Sequence, residues 1–210
     1  MNKTKQNILN ESRLLFNELG FSQVTIRMIA LKLNMSSGNL NYHFKKREDI
    51  LEALYVEMVA VFDARIEDLG NEPLTLKKMR DDVKTSMARM IDYRFFWTDL
   101  FNLLKLNPKI RTRFEKAYAE RIKGTHFLFE VFIKENLLTT PSFESEHQLL
   151  MERMINFSNT WLYSSGLYTK RKLDQESIEH HTNLLMLMLY PYLTDLGKGK
   201  FRKVVPELYT

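Results

Sequence analysis

The chain contains no cysteine. Disulfides and thiolate metal sites are therefore excluded, and a reducing cytoplasm is the expected location. Glycine and proline are scarce, seven and five in 210 residues, which leaves little punctuation for a many-stranded sheet. Long apolar runs are also missing. The longest, Leu184 to Leu193, holds Pro191 and two tyrosines and falls far short of the ~20 residues a membrane-spanning helix needs. Met1 to Lys5 leads into a mixed polar and apolar stretch rather than a signal-peptide core. A soluble protein without a membrane partner is expected. What is present is a hydrophobic fraction of 44%, that of an ordinary globular chain, and long stretches with helical periodicity.

Positive charge is unevenly spread. Residues 1–50 carry eight Lys/Arg against four acids, a net +4, while the remaining 160 carry 23 against 22, a net +1. The first quarter is thus the part suited to a polyanion.

Helical spacing predicts helix 1 over 3–19, with Ile8, Ser12, Leu15, Phe16 and Leu19 on one face and Gly20 as its stop. Thr25 is an N-cap for a short helix 2, where Ile26, Ile29, Ala30 and Leu33 share a face. Asn34 suits the left-handed stop, Ser36 caps helix 3 over 37–43, and helix 4 runs from about Arg47 to Leu69. Two short helices joined by about three residues describe a helix-turn-helix. Further helices are expected over about 75–93, 95–106, 107–136, 146–167 and 175–196. Asn107-Pro108 opens the longest, and loops fall at Gly70–Pro73 and Thr139–Ser142. The fold class is all-α with about nine helices, divided into a head (1–46) and a body (47–210).

Residues Thr25 to Ala30, Met35 to Phe44 and Arg47 to Leu51 closely resemble the N-terminal signature of the TetR family of transcription regulators. The resemblance covers about residues 8–52. Asn34 stands where the family usually has glycine, and Asn41 where it commonly has tyrosine. The resemblance implies a DNA-binding head, an inducer pocket enclosed by the middle helices, and a homodimer through the last two long helices.

The first turns of a recognition helix face the major groove, where asparagine bonds adenine N6 and N7. Ser37, Asn39 and Asn41 are thus candidate base readers, with Arg27 close enough to assist. Tyr42 and His43 match the family's phosphate-clamping pair, and Thr25, Lys46 and Arg47 lie at helix starts that also face phosphates. With the capping Ser36 these residues form the candidate DNA-binding set. Lys45-Lys46-Arg47 opens helix 4 against its dipole, which favours a role in function.

Aromatic and methionine side chains are abundant in the middle of the chain. Met90, Arg94, Phe95, Phe96, Trp97, Phe101, Tyr118 and Trp161 are the candidate walls of a pocket for an apolar or aromatic small-molecule effector. Leu184 to Leu189 is apolar nearly all round its helix and is expected to be covered on more than one side, one of them by a partner chain. No HExxH spacing joins the five histidines, and no glycine loop suits a phosphate, so no metal, cofactor or catalytic activity is expected. The function read from these features is a dimeric regulator bound to double-stranded operator DNA and released by its effector. An activator or architectural DNA-binding protein without inducer, and a carrier or enzyme with a vestigial head, are the other readings.

Overall fold

Residues 3–68, 73–169 and 172–208 are described by a computed structural model, with side chains described outside 61–68. Leu69, the expected loop at Gly70–Glu72 and the side chain of Phe62 lie outside that set. The chain divides into two compact units, one of Met1–Glu67 with Asp92–Thr112, the other of Asp68–Ile91 with Arg113–Thr210. Contacts thus join helix 4 and the aromatic segment to the head, a different division from 1–46 and 47–210.

The first unit begins with α1 (Lys3–Leu19), which buries Ile8, Leu9, Ser12 and Phe16 on one stripe. Leu19, expected on that stripe, is 42% exposed because the helix ends there. Gly20 has φ 81°, a left-handed backbone that glycine adopts at no steric cost. Phe21 then folds back, its ring 5.1 Å from that of Phe16. α2 (Ile26–Lys32) and α3 (Ser37–His43) follow, separated by Asn34 at φ 53°. In α4 (Arg47–Asp68), Ile50, Leu51, Leu54, Tyr55 and Met58 recur at helical spacing and are all buried.

The aromatic segment forms two helices rather than one, α6 (Arg94–Thr98) and α7 (Leu100–Leu106), broken at Asp99. Asn17 holds this segment against α1 through both ends of its amide. Its Nδ2 donates to the Asp92 carbonyl at 2.8 Å, and its Oδ1 accepts from Phe95 N–H at 3.1 Å. The Phe95 ring meets Phe16 at 5.3 Å and Phe96 meets Tyr55 at 5.3 Å. These aromatics are core of the first unit.

The second unit holds most of α5 (Leu76–Asp92) and of α8 (Pro108–Lys134), α9 (Glu146–Ser164), α10 (Gln175–Leu187) and α11 (Asp195–Val204). Asn107 caps α8 as expected, its Oδ1 accepting from the N–H groups of Lys109 and Ile110 at 3.1 Å. The helix expected over 146–167 leaves α-geometry at Ser165–Thr169 in a wider, π-type turn. The one expected over 175–196 stops at Leu187, and a 3-10 turn at Tyr190–Tyr192 intervenes before α11. Pro191 has no N–H to continue an α-helix, which accounts for the break. After that break the chain pairs with the residues that follow α8. Thr139 N–H reaches the Tyr192 carbonyl at 2.8 Å, and Thr194 N–H reaches that of Leu137 at 3.1 Å. Eleven α-helices and no strand occur among the described residues, none long and apolar enough to cross a membrane.

Candidate functional site

The geometry of α2 and α3 follows from their caps. Thr25 Oγ1 accepts from Met28 N–H at 3.2 Å and Ser36 Oγ from Asn39 N–H at 3.1 Å. Each satisfies a helix-start donor that would otherwise need water. α2 anchors through Ile29 and Ala30 and α3 through Leu40, all buried. With α3 fixed by one apolar side chain, its remaining polar residues point outward. Asn39 and Asn41 are exposed, Ser37 is half-buried, and Tyr42 is 85% exposed with its ring edge-on to His43 at 5.2 Å. Thr25, Arg27, Ser36, Lys45 and Lys46 are also exposed. A seven-residue helix is ~10 Å long, short enough for its whole outer face to enter one major groove.

The basic start of α4 is reconciled with the helix dipole by the acids that follow it. Lys46 N–H donates to Asp49 Oδ2 at 3.1 Å, and Glu48 shares the first turn. Arg47, expected to hold a phosphate, is instead turned inward. Its Nη1 donates to the carbonyls of Phe21 at 2.9 Å, Ser22 at 3.2 Å and Val24 at 2.8 Å. The guanidinium also stacks over the Phe21 ring at 4.1 Å and lies 3.6 Å from Glu48. Its donors serve the loop between α1 and α2. The outward cations beside α3 are Arg27, Lys45 and Lys46.

The eight residues expected to wall an effector pocket do not share one unit. Arg94, Phe95, Phe96, Trp97 and Phe101 belong to the first and Met90, Tyr118 and Trp161 to the second. Phe95 and Phe96 are buried in core, Arg94 and Trp97 are half-buried, and Phe101 is 78% exposed. In the second unit Trp161 is buried, its indole N–H facing Met90 Sδ at 3.4 Å and its ring 4.6 Å from His181. Tyr118 is half-buried on α8. One turn further along α8 is a group absent from the expected set. Arg121 reaches across to α9, with Nη1 3.0 Å from Asn159 Oδ1 and Nη2 on the hydroxyl of buried Ser158. Its position in the i, i+3/i+4 row Phe114, Tyr118, Arg121, Thr125 was the available signal.

On the outer side of α9 lies a shallow groove of about 370 Å³, walled by Phe143, Leu149, Arg153, Asn156 and Tyr192 among others. None of the eight expected residues lines it.

A family model described as bacterial transcriptional repressor matches residues 57–201, and that of bacterial regulatory proteins of the tetR family matches residues 8–54. The chain belongs to the TetR family of bacterial transcription regulators. The helix-turn-helix of this TetR-family protein is therefore its DNA-binding element. A curated relative, the transposon Tn10 TetC protein of Escherichia coli, is 35% identical over 63 residues, which are 30% of this chain. The match spans only about a third, 32%, of that relative's length. The whole TetR fold is shared with a TetR-family transcriptional regulator from Marinobacter aquaeolei. That likeness has a TM-score of 0.83 and 25% identity, and covers 99% of this chain and 97% of the other. A protein from Saccharomonospora viridis, assigned as a transcriptional regulator and solved in complex with choline, has a TM-score of 0.72 at 21% identity, covering 92% and 100%. At that identity the second likeness concerns the fold.

Proposed function

We propose that this TetR-family protein is a homodimeric repressor that reads a pseudo-palindromic operator through α3 and leaves it when a small molecule fills the second unit. The observation that carries the operator reading is the outer face of α3. Ser37, Asn39 and Asn41 present donors and acceptors there, flanked by exposed Tyr42 and the cations Arg27, Lys45 and Lys46. Base edges take the amides and hydroxyl, and phosphates take the cations, Tyr42, His43 and the capped helix starts at Thr25 and Ser36.

Dimerisation is supported by apolar side chains left uncovered on the last long helices: Leu149 and Tyr163 on α9, Leu184 and Leu187 on α10, each at least 36% exposed in the protomer. Leu185, Met186 and Leu189 are buried within it, so the run has an inner side already filled and an outer one free for a partner copy. Effector control is supported by the enclosed Trp161–Met90–His181 cluster and by the choline complex of the fold relative. Moving the population from mostly bound to mostly released needs ~5 kcal/mol of preference for the released state. That requires several contacts to differ between the two states.

Retardation of the DNA upstream of its own gene, with light scattering on the same sample, tests the reading. Expected are a mass of twice the chain and a sequence-specific shift with steep salt dependence. A monomer with tight operator binding would remove the dimer. Absence of any specific shift would remove the operator reading.

A further inference from the structure

We infer that α3 lies close against A·T pairs, with Asn39 and Asn41 reading adenine at two positions of each half-site and Gly38 permitting the close approach. This rests on the reading of α3 as the helix that meets the operator. From 33 to 44 the chain carries no lysine, arginine, aspartate or glutamate. Guanine offers two acceptors, O6 and N7, which the donors of arginine or lysine meet together, and cytosine offers a donor that suits a carboxylate. Adenine offers one donor and one acceptor, N6 and N7, which match the two ends of an asparagine amide. Asn39 and Asn41 are both exposed, and no hydrogen bond among the described residues engages either side-chain amide. The amides of Asn17 and Asn107, in contrast, are bonded at both ends and tie elements of the fold together.

The placement of the two amides follows from the anchor of the helix, the single buried side chain Leu40. At 3.6 residues per turn, Asn39 and Asn41 stand about 100° to either side of Leu40, with Gly38 and Tyr42 opposite it. The amides therefore leave from the two flanks of the outer face and meet different base pairs. Asparagine is short, so the helix backbone must come near the bases for its amide to reach them. Gly38 is where that approach is open. Its backbone is not left-handed, and a Cβ there would meet only Ser36 Oγ, at an ordinary 3.8 Å. The fold would thus accept alanine, which favours a helix more than glycine does. What glycine provides is room on the outer face, where the C5-methyl of a thymine projects from an A·T pair.

The test is selection of sites from random duplex DNA by the full-length protein, repeated with Asn39→Ala and Asn41→Ala. Each substitution should relax one position per half-site, the two positions should differ, and both should be A·T in the wild-type site. In that duplex, 7-deazaadenine, which lacks the N7 acceptor, replaces adenine at one of these positions in both half-sites. Wild-type binding should weaken about tenfold, while the alanine variant of the residue that reads the position should be indifferent to the exchange. Gly38→Ala should lower operator affinity about tenfold or more while its thermal midpoint holds or rises. Selected G·C pairs at either position, wild-type binding unmoved by 7-deazaadenine, or full affinity in Gly38→Ala overturns the inference. So does a midpoint that falls together with affinity, because glycine would then serve the fold. If no site is selected at all, the operator reading itself fails, whereas a selected site with G·C pairs at those positions removes this inference alone.

Discussion

Arg47 in the first unit and Arg121 in the second are both turned toward protein, and they differ in what meets them. Arg47 finds three backbone carbonyls, an aromatic face and a carboxylate. It closes the loop that leads into α2 and so holds the helix-turn-helix in shape. Arg121 finds only a hydroxyl and an amide oxygen. The first arginine is enclosed by the loop it holds, while the second, exposed along its length, ties α8 to α9. The number and charge of its partners therefore set how much an arginine contributes to the fold.

The glycines repeat this contrast and give the largest expected effect. Gly20 needs its positive φ but has nothing within 4 Å of a would-be Cβ. Gly197 has ordinary helical geometry, yet a Cβ there would sit 2.0 Å from the Leu137 carbonyl oxygen and 3.2 Å from Leu193 Cβ. Gly197→Ala should force α11 off the Leu137 backbone and cost about 3 kcal/mol or more, a fall of roughly 6–12 °C in thermal midpoint. A midpoint within a degree or two of wild type would mean that the approach is looser than described.

Arg47→Ala comes next, because it strands carbonyls that water only partly reaches. A loss of about 2–3 kcal/mol is expected from thermal or urea unfolding. R121Q removes no charge partner and should change stability by less than about 1 kcal/mol. Equal losses in the two variants would dissolve the distinction between them. Operator binding by Arg47→Ala, measured well below its midpoint, should keep the wild-type salt slope, since Arg47 is assigned no phosphate.

Asn39→Ala bears on the outward face of the first unit. It should cost about 1–3 kcal/mol in operator affinity and relax preference at one base position in each half-site. The backbone N–H of Asn39, which Ser36 caps, is untouched, so thermal stability should hold. Unchanged base preference in a binding-site selection would move the reading face elsewhere on α3.

The smallest effect is expected at His147, between the rings of Phe129 at 5.6 Å and Tyr192 at 6.4 Å, with Nε2 enclosed and unbonded. Desolvation lowers its pKa below the usual histidine value, Glu146 opposing and His126 adding to the shift. The unfolded chain therefore takes up this proton first. Stability is intact above about pH 6.5 and declines as pH falls toward the depressed folded value. Thermal midpoints between pH 7.5 and 5.5 should fall a little more in wild type than in His147→Gln. Identical slopes would show that the ring is already solvated.

The head was legible from local chemistry. Thr25 and Ser36 are caps that bond within three residues, Gly20 and Asn34 occupy backbone that few other residues tolerate, and the apolar spacing of α1 and α4 names their buried sides. Such interactions span one or two helical turns, so their signals lie in adjacent residues. The break at Pro191 was as local but went unread beneath the stronger apolar run around it.

What only the tertiary structure decided involves partners far apart in sequence. Arg47 meets carbonyls 23 to 26 residues away, Phe95 and Phe96 pack on α1 and α4, and Arg121 reaches residues 37 and 38 positions further on. An arginine or phenylalanine carries the same side chain whether it faces water, core or ligand. Its role is set by which distant surface the packing of helices brings to it, and helical periodicity carries no information about that choice.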